Sequence, residues 1–470
     1  MRCHWFIRRC WPVVFVLAGC GSSTPTKTIS LAALVGLTGS IGNTAALDAI
    51  QLATADMNAG LKTANQALQF SIPVDDSQND ATGAIAVQRV TDRVKNGGAK
   101  GVIVDVSSDD VALLKLAYDS DASNDLKVPL VCYTCTSVNT NNPNATNPDM
   151  TTQLAYQDAQ GWNYRTNSSS ANLVASLMNI VKQRATGATY NIVLYAPSGP
   201  FGNGFNAALR AAAAKLTTAT VTVNTLFHDP NADLNSYDWT GDMAKVAAGS
   251  WPADAFNPTA VNAGPPDLYI NSDFVAFAVG MTKAYLIGAY TIPTLSVISL
   301  RMSDADLAIA FSNPSQLNGQ EGIGWVPYTG TSGAIYATEL ENAKRGATAS
   351  QFPGYAYDAT AELMLATLIA SHGMADPTQV TGPQIRDAMA KINDPNGTVI
   401  PPGPANFAMA AQRIAQGLPI NYDGATGPQD FDATRNPISN FSRFKIQSGH
   451  VSDVEIFDCI SDATCPSRTP

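Results

Sequence analysis

Histidine is nearly absent: His4, His228, His372 and His450 are the whole supply, and they lie too far apart in sequence for metal-ligand spacing. That argues against a His/Cys zinc set. It also argues against an enzyme, because scattered histidines among ordinary carboxylates supply no convergent acid, base or nucleophile. No G-x-x-x-x-G-K-[ST] segment occurs, and no G-x-S-x-G, so a P-loop and a nucleophile elbow are both missing. Basic residues are few, 28 against 38 acids, for a formal net charge of −10. A surface this acidic repels nucleic-acid phosphates, and nucleic-acid binding is set aside. After the N-terminal segment no apolar run reaches about 18 residues, so no further membrane span is expected. What is present is apolar material: 45% of 470 residues, with only 14% charged. That is enough for substantial cores in two or three domains.

The first twenty residues set the compartment. "MRCHWFIRRC" is basic and "WPVVFVLAG" is apolar, together too short to span a bilayer permanently. They end in Leu17-Ala18-Gly19-Cys20, followed by the polar "GSSTPTKT". This resembles a bacterial lipobox, in which the Cys becomes the lipidated first residue. The alternative is a plain secretory signal with an incidental Cys. Several acyl chains on Cys20, at roughly 0.8 kcal/mol per buried methylene, suffice for stable anchoring. The expected location is the cell envelope, at the periplasmic or extracellular face, with Gly21–Lys27 as a flexible linker. Removing Arg2, Arg8 and Arg9 with the signal takes the balance to 25 bases against 38 acids, or −13.

Four cysteines then remain, Cys132, Cys135, Cys459 and Cys465, with three possible pairings. The neat one is Cys132–Cys135 with Cys459–Cys465. The Cys-x-x-Cys could also be a redox motif or half a zinc site. Against redox chemistry, it closes a strand instead of opening a helix, and a local structural disulfide is favoured.

Along the chain, strand and helix patterns alternate. "TISLAALVGL" is a continuous apolar run, as in a strand buried on both faces. The helix that follows shows Leu47, Ile50, Ala53 and Met57 at steps of three and four, with Asn43 or Thr44 to cap it and Gly60 to end it. "LQFSIPVDD" reads as strand two, "ATGAIAVQRVTDRVKNGG" as helix two and "AKGVIVDVSS" as strand three. "DDVALLKLAYDSD" is helix three, with Val111, Leu114 and Ala117 inward, and "LKVPLVCYTCTS" is strand four. Four β–α units argue for a parallel sheet covered by helices. The Asn-, Thr- and Pro-rich stretch 137–161 breaks the pattern, and a second β–α run restarts at Trp162. Residues 230–266 read as an irregular insertion. Three helical stretches follow, at 333–346, 355–373 and 381–393; then come turns, and strands at 439–449 and 450–458.

In open parallel sheets, ligands sit at the carboxyl ends of strands. Here those ends are "LTGSIG", "VSSDD", "YTCTS", "SGPFGNG" and "INSDF", rich in Gly, Ser and Thr and poor in His, Lys and Arg. Such loops suit a carboxylate or another small polar solute beside helix N-termini. They do not read as a nucleotide site. Gly36, Gly39 and Gly42 make G-x-x-G-x-x-G instead of G-x-G-x-x-G, and Asp75 and Asp76 lie too far along for the ribose acid.

The order of "GLTGSIGNTAALDAIQLATADMNAG", "VDDSQNDATGAIAVQRVTDRV", "GVIVDVSSDDVALLKLA" and "VPLVCYTCTS" resembles the type I periplasmic solute-binding proteins. So does that of the later "RTNSSSANLVASLM", "IVLYAPSGPFGNGFNAALRAA", "PGYAYDATAELMLA" and "GATGPQDFDATRNP…FKIQSG". These are the extracytoplasmic receptors of branched-chain amino acid and related ABC transporters, and the resemblance runs from about Thr28 to Val454. It implies an α/β fold of two doubly wound parallel-sheet lobes joined by a three-strand hinge. Residues 28–163 and 327–430 would form lobe one, and 164–326 with 431–470 lobe two. It also implies a monomer with no cofactor, a small-molecule ligand and an ABC permease partner; a ligand sensor feeding a membrane signalling partner is the alternative. By position the resemblance nominates Ser107 and Ser108 in the loop after strand three, and Thr134 and Thr136 in the next loop, to grip the ligand's head. Phe201 would line the cleft. Members that bind amino acids usually offer a lobe-two carboxylate to the ammonium; here Leu300 and Arg301 stand in that stretch. Asp273 could substitute, and Arg301 could meet a second ligand carboxylate. The plain alternative for the hydroxyls is that they only cap turns.

Overall fold

The computed structural model describes residues 26–38, 44–78, 84–105, 126–136, 158, 160–230, 232–297, 299–302, 304–326, 328–343, 351–433, 435–462 and 464–468. Cys20, Ser107, Ser108, helix three with Val111, Leu114 and Ala117, and nearly all of the 137–161 stretch lie outside them.

Two sheets organise the chain. The first contains β2 (Ala32–Val35), β4 (Val74–Asp76), β5 (Val102–Val104), β6 (Leu130–Cys132) and β7 (Asn163–Arg165), all parallel, in the order β4-β2-β5-β6-β7. In line with β2 and β4, and in the same register, β1 (Lys27–Ser30) pairs in parallel with β3 (Leu68–Ser71). Strands buried on both faces read as unbroken apolar runs, which is why "AALV" and "VIV" are buried throughout. The second sheet has the order β20-β19-β18-β14-β13-β12-β8-β9. Its parallel half is β8 (Thr189–Pro197), β9 (Thr220–His228), β12 (Leu268–Ser272), β13 (Thr294–Val297) and β14 (Glu321–Trp325). Its antiparallel half is β18 (Phe441–Gln447), β19 (His450–Phe457) and β20 (Ser467–Arg468).

Helices fill the connections. In the first unit α1 (Thr44–Thr63) and α2 (Ala84–Lys95) flank the sheet. In the second, α3 (Ser170–Arg184), α4 (Pro200–Ala213), α5 (Trp239–Ala248), α6 (Val275–Ile287) and α7 (Asp304–Ala310) do so. The chain then goes back to the first unit with α8 (Thr331–Asn342), α9 (Gln351–Ser371), α10 (Gly382–Met389) and α11 (Pro404–Ala415). There α9 packs on α1, β5 and β6, and α11 on α1. A small sheet of β15 (Thr398–Ile400), β16 (Ile420–Gly424) and β17 (Gly427–Pro428) completes that unit.

Local expectations are corrected in three places. Gly60 does not end α1: the helix runs on to Thr63, and a Cβ at Gly60 would stand 2.8 Å from the Ala408 backbone nitrogen of α11. The glycine permits close helix contact, and the buried face runs through Ala46, Ala49, Ile50, Ala53 and Met57, with Leu47 only half-buried. The 230–266 insertion is not irregular throughout. It holds α5, capped by Asp238 onto the Gly241 N–H and stopped by Gly249 at φ 58°, and the hairpin of β10 (Ser250–Trp251) and β11 (Val261–Asn262). Finally, α11 and β16 were unforeseen in the periodicity: α11 provides much of the packing against α1, and β16 reaches α9 through the Tyr422 hydroxyl on Asp358.

Three passages join the two units, and they bond to one another. The first leaves β7 at Arg165, the second leaves β14 at Trp325, and the third runs from Gln429 into β18. The Arg165 N–H donates to the Arg435 carbonyl at 3.2 Å, and the Val326 N–H to the Asn440 carbonyl at 3.1 Å. The third passage therefore lies between the other two. Tyr355, in the second turn of α9, touches all three. Its carbonyl accepts the Thr166 hydroxyl at 2.9 Å, its ring meets Trp325 edge-on at 6.0 Å, and its hydroxyl stands beside Ser439.

Candidate functional site

The carboxyl tips of the first sheet are tied into a polar cluster. Asp76, ending β4, accepts the N–H groups of Leu37 and Gln78 at 2.8 Å and the Thr38 hydroxyl at 2.5 Å. Partial burial pushes its carboxyl up, but these donors outweigh that and hold it below the usual carboxylate range. Past β5, Asp105 accepts from the Gly36 N–H at 3.4 Å and stands beside the buried Tyr133 hydroxyl. Burial first, and then the Asp105 charge, push that phenol well up. The neutral phenol therefore stays a donor.

Cys132 and Cys135 are joined in a disulfide at the end of β6, as are Cys459 and Cys465 near the C-terminus. The first bridge shapes the tip, with the Cys135 N–H 3.1 Å from the Cys132 sulfur. Thr134 lies half-buried inside this small ring and Thr136 is buried just beyond it. The Thr136 carbonyl accepts both the N–H (2.7 Å) and the hydroxyl (2.9 Å) of Ser170, the first residue of α3. The Thr166 N–H in turn donates to the Cys132 carbonyl at 3.3 Å. The loop 132–136 and the first passage, 166–170, thus form one structure.

Opposite elements carry the second sheet's tips. The "SGPFGNG" loop follows β8, and two of its glycines are steric necessities: Gly199 has φ 138°, and a Cβ on Gly202 would stand 1.9 Å from the Pro197 carbonyl oxygen. Phe201 is buried on α4, 5.9 Å from the ring of Phe274, which opens α6 beside the tip of β12. Two residues before Phe274, the buried Ser272 hydroxyl at the end of β12 has no partner. Asp273 and Arg301 face inward instead. His228 Nε2 lies 2.5 Å from the Asp273 carboxylate, and its Nδ1 lies 3.1 Å from the Asp229 carbonyl. Both ring nitrogens thus face oxygens, which fixes the ring between Asp273 and the Asp229 carbonyl. Tyr195 and Phe277 stack on either side of the imidazole at 4.7 and 4.2 Å. Burial pushes the Asp273 carboxyl up, against the pull of His228. Arg301 is engaged by Asp453, at 2.9 Å to Oδ2, and by Ser442, and braces β18 on β19.

The structure therefore brings Thr134 and Thr136 together at one tip cluster and Phe201 to another, while Asp273 and Arg301 have partners within the protein. Sequence reading passed over Asn167, Tyr355 and Arg435. Asn167 lay in the quoted "RTNSSSANLVASLM", but nothing in one sequence separates it from the neighbouring serines. Among the described residues no group of His, Cys, Asp and Glu could hold a metal, and no helix is long and apolar enough to cross a membrane.

No protein-family model matches the chain, and no curated protein matches it by sequence. Solved structures do match. A leucine-binding protein from Thermotoga maritima is 15% identical over 91% of this chain and 98% of its own, with a TM-score of 0.61. A branched-chain amino acid transporter substrate-binding protein from Streptococcus pneumoniae, in complex with isoleucine, is 15% identical over the same shares, with a TM-score of 0.62. A branched-chain amino acid ABC transporter protein from Thermus thermophilus with bound valine is 14% identical over 92% of this chain and 96% of its own, at 0.61. Across nine-tenths of its length, the chain has the two-lobed α/β fold of the type I periplasmic binding proteins.

Proposed function

We propose that the protein is an extracytoplasmic receptor that closes on one small polar solute, an amino acid or a related carboxylate or amide, and delivers it to an ABC permease. The observation that carries this reading is the arrangement of two sheets joined by three passages, with a tip cluster of hydroxyls and backbone N–H groups on one sheet and the aromatic pair Phe201 and Phe274 at the tips of the other. Residues 28–163 with 327–430 act as one lobe, and 164–326 with 431–470 as the other. Thr134 and Thr136, with Ser107 and Ser108, hold the ligand's charged head; Phe201 and Phe274 face its apolar part. Closure excludes water and strengthens those bonds. Lipid on Cys20 keeps the receptor at the membrane surface. The bound ligands of the isoleucine and valine complexes support an amino acid as guest. His228 and Ser442 hold Asp273 and Arg301, so we give neither a ligand contact.

The test is thermal unfolding of the purified protein against amino acids, organic acids and amides. A receptor gains several degrees from one chemical class at saturating ligand, because occupancy stabilises only the folded form. Turnover of a substrate with no such shift would overturn the reading.

A further inference from the structure

We propose that Asn167 is a ligand-reading residue of this site, and that it selects a head group with an N–H donor and an oxygen acceptor side by side: the zwitterionic head of an α-amino acid, or a carboxamide. The inference rests on the receptor reading above and adds the residue that distinguishes head groups. Asn167 is fully buried, and neither its amide nitrogen nor its amide oxygen has a partner. The hydroxyls of three neighbours are already engaged. The Thr166 hydroxyl goes to Tyr355, Ser168 accepts from Asn172 at 2.8 Å, and Ser170 is held by Thr136. The side chain is thus flanked on both sides by residues clasped to the loop that carries Thr134 and Thr136, at the passage where the two units meet.

A buried amide unmet at both ends is costly, and native structures rarely retain one without a function. A carboxylate alone can satisfy only its NH2, and a cation alone only its carbonyl. A guest carrying both satisfies both. A des-amino carboxylate leaves the carbonyl unmet, and such mismatches discriminate more sharply than apolar fit does.

The experiment begins with wild-type protein and a thermal-shift panel of the amino acids, their des-amino carboxylates and the matching carboxamides. The best member is then titrated calorimetrically into wild type, Asn167→Leu and Asn167→Asp. We expect an amino acid or a carboxamide to be preferred over its des-amino carboxylate. Asn167→Leu should weaken binding by roughly tenfold or more, the fold-change that follows from loss of hydrogen bonds to a charged head. Asn167→Asp removes the amide N–H donor and keeps an acceptor, so it should weaken amino acids and carboxamides alike. Urea unfolding of each variant without ligand separates folding from binding. If the preferred ligand is a des-amino carboxylate, or if Asn167→Leu alters stability and leaves affinity intact (the result expected of an amide serving only a buried water), the assignment is overturned while the receptor reading stands. If no panel member shifts the wild type, both fall.

Discussion

Two buried acids one turn apart on α9 show what burial does to a single side chain. Asp358 accepts from the Tyr422 hydroxyl and from Ala425 and Thr426, yet burial raises its carboxyl to about 6. Glu362 has neither carboxyl oxygen bonded; burial first, and then the Asp358 charge, push it well above the usual range. Both folded-state values exceed the unfolded ones, so the native state binds more protons. Stability must therefore fall as pH rises from the unfolded values, about 4, through the folded ones. The Asp358 share of that loss is over once pH passes about 6, and Glu362, raised well above its usual range, adds a loss of the same sign. Urea unfolding at pH 5 and pH 8 should show a flatter pH slope for Glu362→Gln and a more stable variant at pH 8. Equal slopes in both proteins would mean that Glu362 is not a buried acid. At the tip, Thr136→Val should weaken ligand binding by about tenfold with little change in unfolding midpoint. A lost midpoint with intact affinity would make this hydroxyl a turn cap only.

At the scale of elements, the passages are pinned by Arg435. Its guanidinium donates to the Asn163 carbonyl at 3.0 Å and to the fully buried Asp158 carboxylate at 2.9 Å. Asp158 also accepts from the Trp162 and Asn163 N–H groups, so it anchors β7 to the third passage. Arg435→Ala strands that buried carboxylate and should cost about 3 kcal/mol in denaturant unfolding; a loss under about 1 kcal/mol would show the pair to be incidental. Gly60→Ala tests the contact of α1 with α11. The helical backbone tolerates alanine, but its methyl collides with the Ala408 backbone, and a loss of roughly 1–3 kcal/mol is expected. Helix propensity alone predicts the opposite sign, so a stabilised variant would dismiss the collision. The element reading shows the same divide. Continuous apolar runs located β2, β5 and β6, because strands buried on both faces have no alternative pattern. The periodicity did not reveal α11, whose "PGPANFAMAAQRIAQG" begins among prolines, and Gly60 read as a stop because local rules contain no neighbouring helix.

For the whole molecule, closure requires the three passages to bend together, and Tyr355 is where they meet. Tyr355→Phe removes only the hydroxyl beside Ser439 and should cost at most about 1 kcal/mol. Tyr355→Ala also loses the contact with Trp325 and should cost about 3–5 kcal/mol. Small-angle scattering of wild type should show a smaller radius of gyration with saturating ligand; an unchanged radius would exclude hinge closure in solution.

The order of strands and helices, the acidic balance, the absence of nucleotide motifs and the polar character of the strand tips were determined by the sequence itself, since each follows from local periodicity or composition. The roles of individual polar groups were decided only by tertiary structure. Asp273 and Arg301 looked like candidates for a ligand's charges, but residues 45 and more than 140 positions away hold them. Asn167 looked like one polar residue among serines, and only folding left it buried with both ends unmet. A polar side chain's role depends on which partners reach it, and those partners come from distant parts of the chain.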